Sequence, residues 1–159
     1  MTSTPSTTAT RPTPAFVGAS WTALLIGLTA YCTGLWNASM PLNAKGYYLT
    51  LILFGLFAAV SLQKSVRDRN EGLPVTNLYH GLSWTAVVIC LTLLTIGLWN
   101  AAITHSEKGF YAMSYLLALF GSVAVQKNVR DIALDDRGNG HVPPALPQSA
   151  ERNWAEGDL

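Results

Sequence analysis

Four long apolar runs alternate along the chain with short polar stretches. None of these runs contains Asp, Glu, Lys, Arg or His: they extend from Phe16 to Leu42, Tyr47 to Gln63, Gly81 to Thr104 and Gly109 to Gln126. A bilayer core is about 30 Å thick and a helix rises about 1.5 Å per residue, so roughly 20 residues cross it, with about 17 as the short limit. The first and third runs exceed that length, and the second and fourth just reach it. Both short runs still qualify, because a backbone cannot stop inside lipid with unpaired N–H and C=O groups. The pattern predicts an all-α polytopic membrane protein with four transmembrane helices.

The chain is 159 residues long, with 50% hydrophobic and 12% charged residues. That is about half the charge of an ordinary soluble domain, which argues against a buried hairpin in a water-soluble fold. The net charge of +1 gives no sign of nucleic-acid binding. Residues 1–15, rich in Ser, Thr and Pro, are expected to be a disordered tail. They lack the basic region, short apolar core and cleavage site of a secretory signal, so the first apolar run is expected to remain as a span. Residues 132–159, polar and with Pro143, Pro144 and Pro147, are expected to be a second disordered tail.

The apolar runs come in two copies. Residues 20–68 align with 83–131 at a constant offset and without a gap, and 24 of 49 positions are identical. The anchors are Ser20-Trp21-Thr22-Ala23 with Ser83-Trp84-Thr85-Ala86, and Gly34-Leu35-Trp36-Asn37-Ala38 with Gly97-Leu98-Trp99-Asn100-Ala101. Lys45-Gly46 recurs as Lys108-Gly109, and Gln63-Lys64 with Val66-Arg67-Asp68 as Gln126-Lys127 with Val129-Arg130-Asp131. Each copy is a helical hairpin, one at 16–68 and one at 82–131, joined by a linker at 69–81. A unit with two spans returns to the side it left, so the copies insert the same way up as a parallel repeat about an axis along the membrane normal. Arg11, Lys64, Arg67, Arg69, Lys127, Arg130, Arg137 and Arg152 fall on the side of the termini, against only Lys45 and Lys108 on the other. By the positive-inside rule both termini are expected in the cytoplasm.

The Gly-Leu-Trp-Asn-Ala block, the Lys-Gly-Tyr/Phe-Tyr turn and the Gln-Lys-x-Val-Arg-Asp ending, each present twice and in order, resemble the YiaA/YiaB two-helix domain of bacterial inner-membrane proteins. The resemblance covers about residues 16–132. It implies an inner-membrane location and brings no activity, substrate or catalytic residue with it.

Small residues suggest where helices meet. Ala23, Gly27, Ala30, Gly34 and Ala38 share one face of the first helix, with Ala86, Cys90, Gly97 and Ala101 at equivalent positions of the third. Gly55 and Ala59, with Ala118 and Ser122, repeat the spacing in the second and fourth. Small faces let helices approach closely in lipid, where hydrophobicity does not drive them together, so these are expected to be the packing seams of a compact bundle. Cys32 and Cys90 occupy non-equivalent mid-span positions and are expected to be packing residues. His80, His105 and His141 are expected in loops or tails, without ligand spacing for a metal. No catalytic, cofactor-binding or metal site is therefore expected, and no cofactor.

Two elements remain open to function. Asn37 and Asn100 follow Trp36 and Trp99 at the outer helix ends; they either bond freed carbonyls there or face each other across the axis as a small polar site. Identical positions Leu53, Leu56, Phe57, Val60, Gln63, Lys64 and Arg67 form one helical stripe, so the second and fourth helices are expected to leave the lipid unbroken to about Asp68 and Asp131. Lys64 and Asp68, like Lys127 and Asp131, are spaced for ion pairs. Lys64, Arg67, Lys127 and Arg130 either anchor topology or gather as a contact site for an anionic lipid or a partner protein.

The expected function is that of a non-catalytic envelope component, working by helix packing and by contacts with membrane lipids, another envelope membrane protein or itself. The alternative is a small transporter or channel subunit that forms a pore as an oligomer; against it, no span carries an ionisable group of the kind ion-coupled carriers use. A membrane enzyme ranks below both, since only Asp131, Asp135 and Asp136 resemble a polar cluster.

Overall fold

The computed structural model describes residues 12–139; the outer parts of both expected tails and His141 lie outside the described residues. Four helices follow in order: α1 (Pro14–Asn37), α2 (Leu42–Asn70), α3 (Asn77–Asn100) and α4 (His105–Asn139). Each is long and apolar enough to cross a membrane, and no strand occurs among the described residues.

The helix ends follow from local chemistry. The hydroxyls of Thr13 and Thr76, equivalent residues in the two copies, accept from the N–H groups of Phe16 and Tyr79 and cap α1 and α3. Pro14 stands at the first helical position of α1, where a missing N–H costs nothing. At the end of α2 the chain turns through Gly72 at φ 72°. There the N–H of Leu73 donates to Asp68 O at 2.9 Å and that of Gly72 to Arg69 O at 3.2 Å, a Schellman turn that returns the chain to the membrane. Thr104 and Glu107 cap α4 reciprocally: Glu107 Oε2 accepts from the Thr104 N–H and Thr104 Oγ1 from the Glu107 N–H.

Four helix boundaries differ from the sequence expectation. Helix α1 opens at Pro14, inside the expected tail, and α2 and α3 shorten the linker to 71–76. Helix α4 continues through 132–139, where the sequence predicts the start of a disordered tail. Ile132, Ala133 and Leu134 continue the helix without a breaker, and the chain offers no Gly until Gly138.

The two hairpins interlock. Helix α1 packs mainly on α4 and α3 mainly on α2, while α2 and α4 meet between them; α1 and α2, the partners within one copy, barely touch, and nor do α3 and α4. Each copy's first helix therefore docks on the other copy's second helix. The core lies where these pairs meet and consists of Tyr31, Leu35, Tyr48, Leu51, Ile52, Cys90, Leu94, Leu98, Tyr111, Tyr115 and Ala118. Outward faces are apolar and exposed, with Trp36, Phe57, Trp99 and Phe120 among them, as lipid-facing surfaces are.

The small residues mark these seams unevenly. A Cβ on Gly27 would lie 2.5 Å from the Ala118 backbone nitrogen, and one on Gly121 2.5 Å from that of Leu24, so α1 and α4 approach backbone to backbone. A Cβ on Gly34 would meet the Phe110 ring, and one on Gly97 the Tyr47 ring, equivalent contacts in the two copies. Gly55 lies beneath the Tyr115 ring. Ala118 and Ser122 are buried, and Ala23, Ala59 and Ala86 are half-buried. Ala38 and Ala101, read from the sequence as part of the stripe, are instead the C-cap residues that end α1 and α3.

Candidate functional site

On the face that bears the termini, α2 and α4 emerge side by side and bring their charged ends together. Arg67 Nη2 bonds Asp68 Oδ1 at 2.8 Å, and Arg67 Nε lies 3.9 Å from Glu71 Oε1. Arg130, the equivalent of Arg67, pairs across the helix gap with the same Glu71. The two arginines of the expected cluster are thus joined, through an acidic residue that the sequence reading passed over. The signal was present: Glu71 stands four residues after Arg67, the spacing of a helical ion pair. The cluster is a mixed-charge knot rather than a purely basic patch. Asp68 takes Arg67 rather than the expected Lys64, and Lys64 and Lys127 are exposed on the outside of the knot.

Beneath this knot a polar layer ties the helices together. Gln63 Nε2 donates to Val123 O across α2 and α4 at 3.0 Å. Asn128, fully buried, donates to Ser20 Oγ at 2.9 Å and links α4 to α1. At the equivalent position Ser65 Oγ lies 2.9 Å from His80 Nδ1 and links α2 to α3. His80, expected in a loop, is therefore in the first turn of α3, and His105 opens α4. Polar groups facing one another inside a bundle need such partners, because lipid offers none.

At the opposite face the two copies repeat one arrangement. Lys45 Nζ donates to Trp36 O at 2.8 Å, and Lys108 Nζ to Trp99 O at 3.1 Å. Each lysine thus closes the C-terminus of the preceding helix, where free carbonyls and the helix dipole favour a cation. Asn37 Nδ2 donates to Thr33 O at 2.8 Å and Asn100 Nδ2 to Ile96 O at 2.9 Å. Both asparagines are exposed and bonded within their own helices. They bond carbonyls of the last turn and do not face each other as a polar site.

The cysteines are free; Cys90 is buried in the core and donates to Val87 O. The centre of the bundle is filled by aromatic rings. Tyr31 meets Tyr111 edge-on at 5.7 Å and donates to Tyr48 O at 3.0 Å, and Tyr115 donates to Leu51 O at 3.2 Å. A buried hydroxyl that bonds a carbonyl of a neighbouring helix orients the ring as well as filling space.

Two segments, 16–68 and 79–131, match the family described as the yiaA/B two helix domain. The chain is 47% identical over 143 residues to inner membrane protein YiaA of Escherichia coli (strain K12), covering 90% of this chain and 94% of that protein. It is 26% identical over 102 residues to inner membrane protein YiaB of the same organism, covering 62% of this chain and 84% of that one. No solved structure matches. With two interlocked copies of a two-helix unit, four membrane-length helices and a match over most of its length, this chain belongs to the yiaA/B two helix domain family of inner-membrane proteins.

Proposed function

We propose that this multi-pass inner-membrane protein is a non-catalytic envelope component, with both termini in the cytoplasm. It acts through helix packing and through contacts with lipid, with a second copy of itself or with another envelope membrane protein. The observation that supports this reading is the filled interior: Tyr31, Tyr48, Tyr111 and Tyr115 are all buried at the junction of the two copies, leaving the chemistry on the outer surfaces. In this reading Lys64 and Lys127, exposed beside the Arg67–Glu71–Arg130 knot, meet anionic headgroups at the cytoplasmic interface.

Cross-linking in the native membrane is expected to capture a distinct envelope protein or a homo-oligomer, and liposomes reconstituted with the pure protein are expected to show no solute flux above protein-free controls. Flux in those liposomes that the Tyr111→Ala substitution alters would overturn the reading in favour of an oligomeric pore. Neutralising Lys64, Arg67, Lys127 and Arg130 together is expected to lower lipid retention in native mass spectrometry; unchanged retention removes that surface.

A further inference from the structure

Helices α3 and α4 are joined by the short 101–104 turn yet barely touch, and between them lies a cleft of about 740 Å³. Its walls are apolar, with Leu91, Leu94, Leu98 and Leu116 among them, and its mouth carries Lys108 and His105 beside Trp99. We propose that this cleft binds one anionic glycerophospholipid, with an acyl chain along the gap and the phosphate at Lys108 and His105. The proposal rests on the lipid-contact part of the reading above and adds a defined site on the opposite membrane face.

Dimensions and charge support a phospholipid. From His105 to Leu116 the cleft follows α4 for about 16 Å, close to half of a hydrocarbon core of about 30 Å, which is the depth of one leaflet. A cleft of that depth with apolar walls and a basic mouth has the polarity profile of a lipid standing in its own leaflet. Lys108 already donates to Trp99 O, and an ammonium has further N–H donors for a phosphate oxygen. The nearest acid in the first turn of α4, Glu107, is turned to the Thr104 N–H and hydroxyl at 2.8 Å.

Comparing the two copies shows what shapes the cleft. Where the second copy has Leu94, Ala112 and His105, the first has Tyr31, Leu49 and Leu42. Tyr31 is fully buried and bonded to Tyr48 O. The second copy thus carries a smaller wall residue at Ala112, an aliphatic one in place of a ring, and a basic group in place of Leu42. Gly109 also lines the cleft, and a Cβ there would meet nothing within 4 Å.

The test uses the full chain in mild detergent, offered phosphatidylglycerol or phosphatidylcholine of matched acyl chains, with bound lipid read by native mass spectrometry. The unsubstituted protein is expected to hold one phosphatidylglycerol in preference to phosphatidylcholine. The Gly109→Leu/Ala112→Leu variant, which plugs the cleft, is expected to lose that lipid several-fold at an unchanged thermal midpoint. His105→Leu, which installs the first copy's residue at an exposed position, is expected to lower the phosphatidylglycerol preference and keeps the test decisive if the plugged variant fails to fold. Equal retention of both lipids by the unsubstituted protein overturns the proposal, as does retention that neither variant alters. Solute flux in liposomes would overturn the proposed function without changing this assay, so the two failures are distinguishable.

Discussion

Tyr48 and Tyr111, which hold equivalent positions in the two copies, lie ring against ring, with centroids 6.2 Å apart and planes 15° from parallel. Equivalent residues touch only where the symmetry axis passes, so this pair marks the pseudo-two-fold axis. The symmetry stops beside it: Tyr115 stacks into the same core, whereas its equivalent in the first copy is Ile52. The Tyr115→Ala substitution removes a whole buried ring and is expected to cost about 3 kcal/mol. Tyr115→Phe, which keeps the ring and loses the hydroxyl with its bond to Leu51 O, is expected to cost about 1 kcal/mol or less. Unfolding in detergent–denaturant mixtures measures both, and equal losses would show that the hydroxyl rather than the ring holds the junction.

The glycines of the α1/α4 seam should rank by what opposes them. Gly27→Ala and Gly121→Ala press a methyl against backbone, which cannot step aside, and are expected to cost about 2 kcal/mol each. Gly34→Ala meets the Phe110 side chain, which can rotate away, and is expected to cost clearly less. Detergent thermal midpoints that place Gly34→Ala below Gly27→Ala would contradict the seam.

Gly72 is the residue at which the chain reverses between the two copies. Its left-handed conformation strains any residue with a Cβ, so Gly72→Ala is expected to lose about 1–2 kcal/mol, whereas Gly72→Asn should lose less. Limited proteolysis at 71–76 would report the loosened turn. Cleavage that does not increase in Gly72→Ala would argue that the Schellman bonds do not hold it.

The Arg130–Glu71 pair joins α4 to α2 at a partly exposed site, with side chains 27% and 39% exposed. Water and salt screen such a pair, and a double-mutant cycle with Arg130→Gln and Glu71→Gln is expected to give a coupling of about 0.2–1 kcal/mol that declines with ionic strength. A coupling several times larger would mean that the knot is sealed from solvent in the membrane.

Much of the architecture is legible in the sequence alone. Charge-free runs located the spans, and the repeat in register gave the parallel hairpins. The stripe from Leu53 to Arg67 anticipated helices that leave the lipid unbroken. The site is legible in part: Arg67 and Arg130 stand out through the repeat, whereas Glu71, which pairs with both, lies outside the aligned copies. In the sequence Lys45 and Lys108 are only charges on the far side, and their role as caps on Trp36 and Trp99 follows from the turn geometry.

The order of the chain determined the spans and the duplication, because lipid admits only backbone that satisfies itself within a helix and excludes charge from it. Tertiary structure alone decided that α1 belongs with α4 and α3 with α2, across the copies rather than within them. In water an apolar stripe tells a helix which face to bury; here both faces of each helix are apolar, so the choice of partner rests on close packing, at Gly27 against Ala118 and at Gly97 against Tyr47.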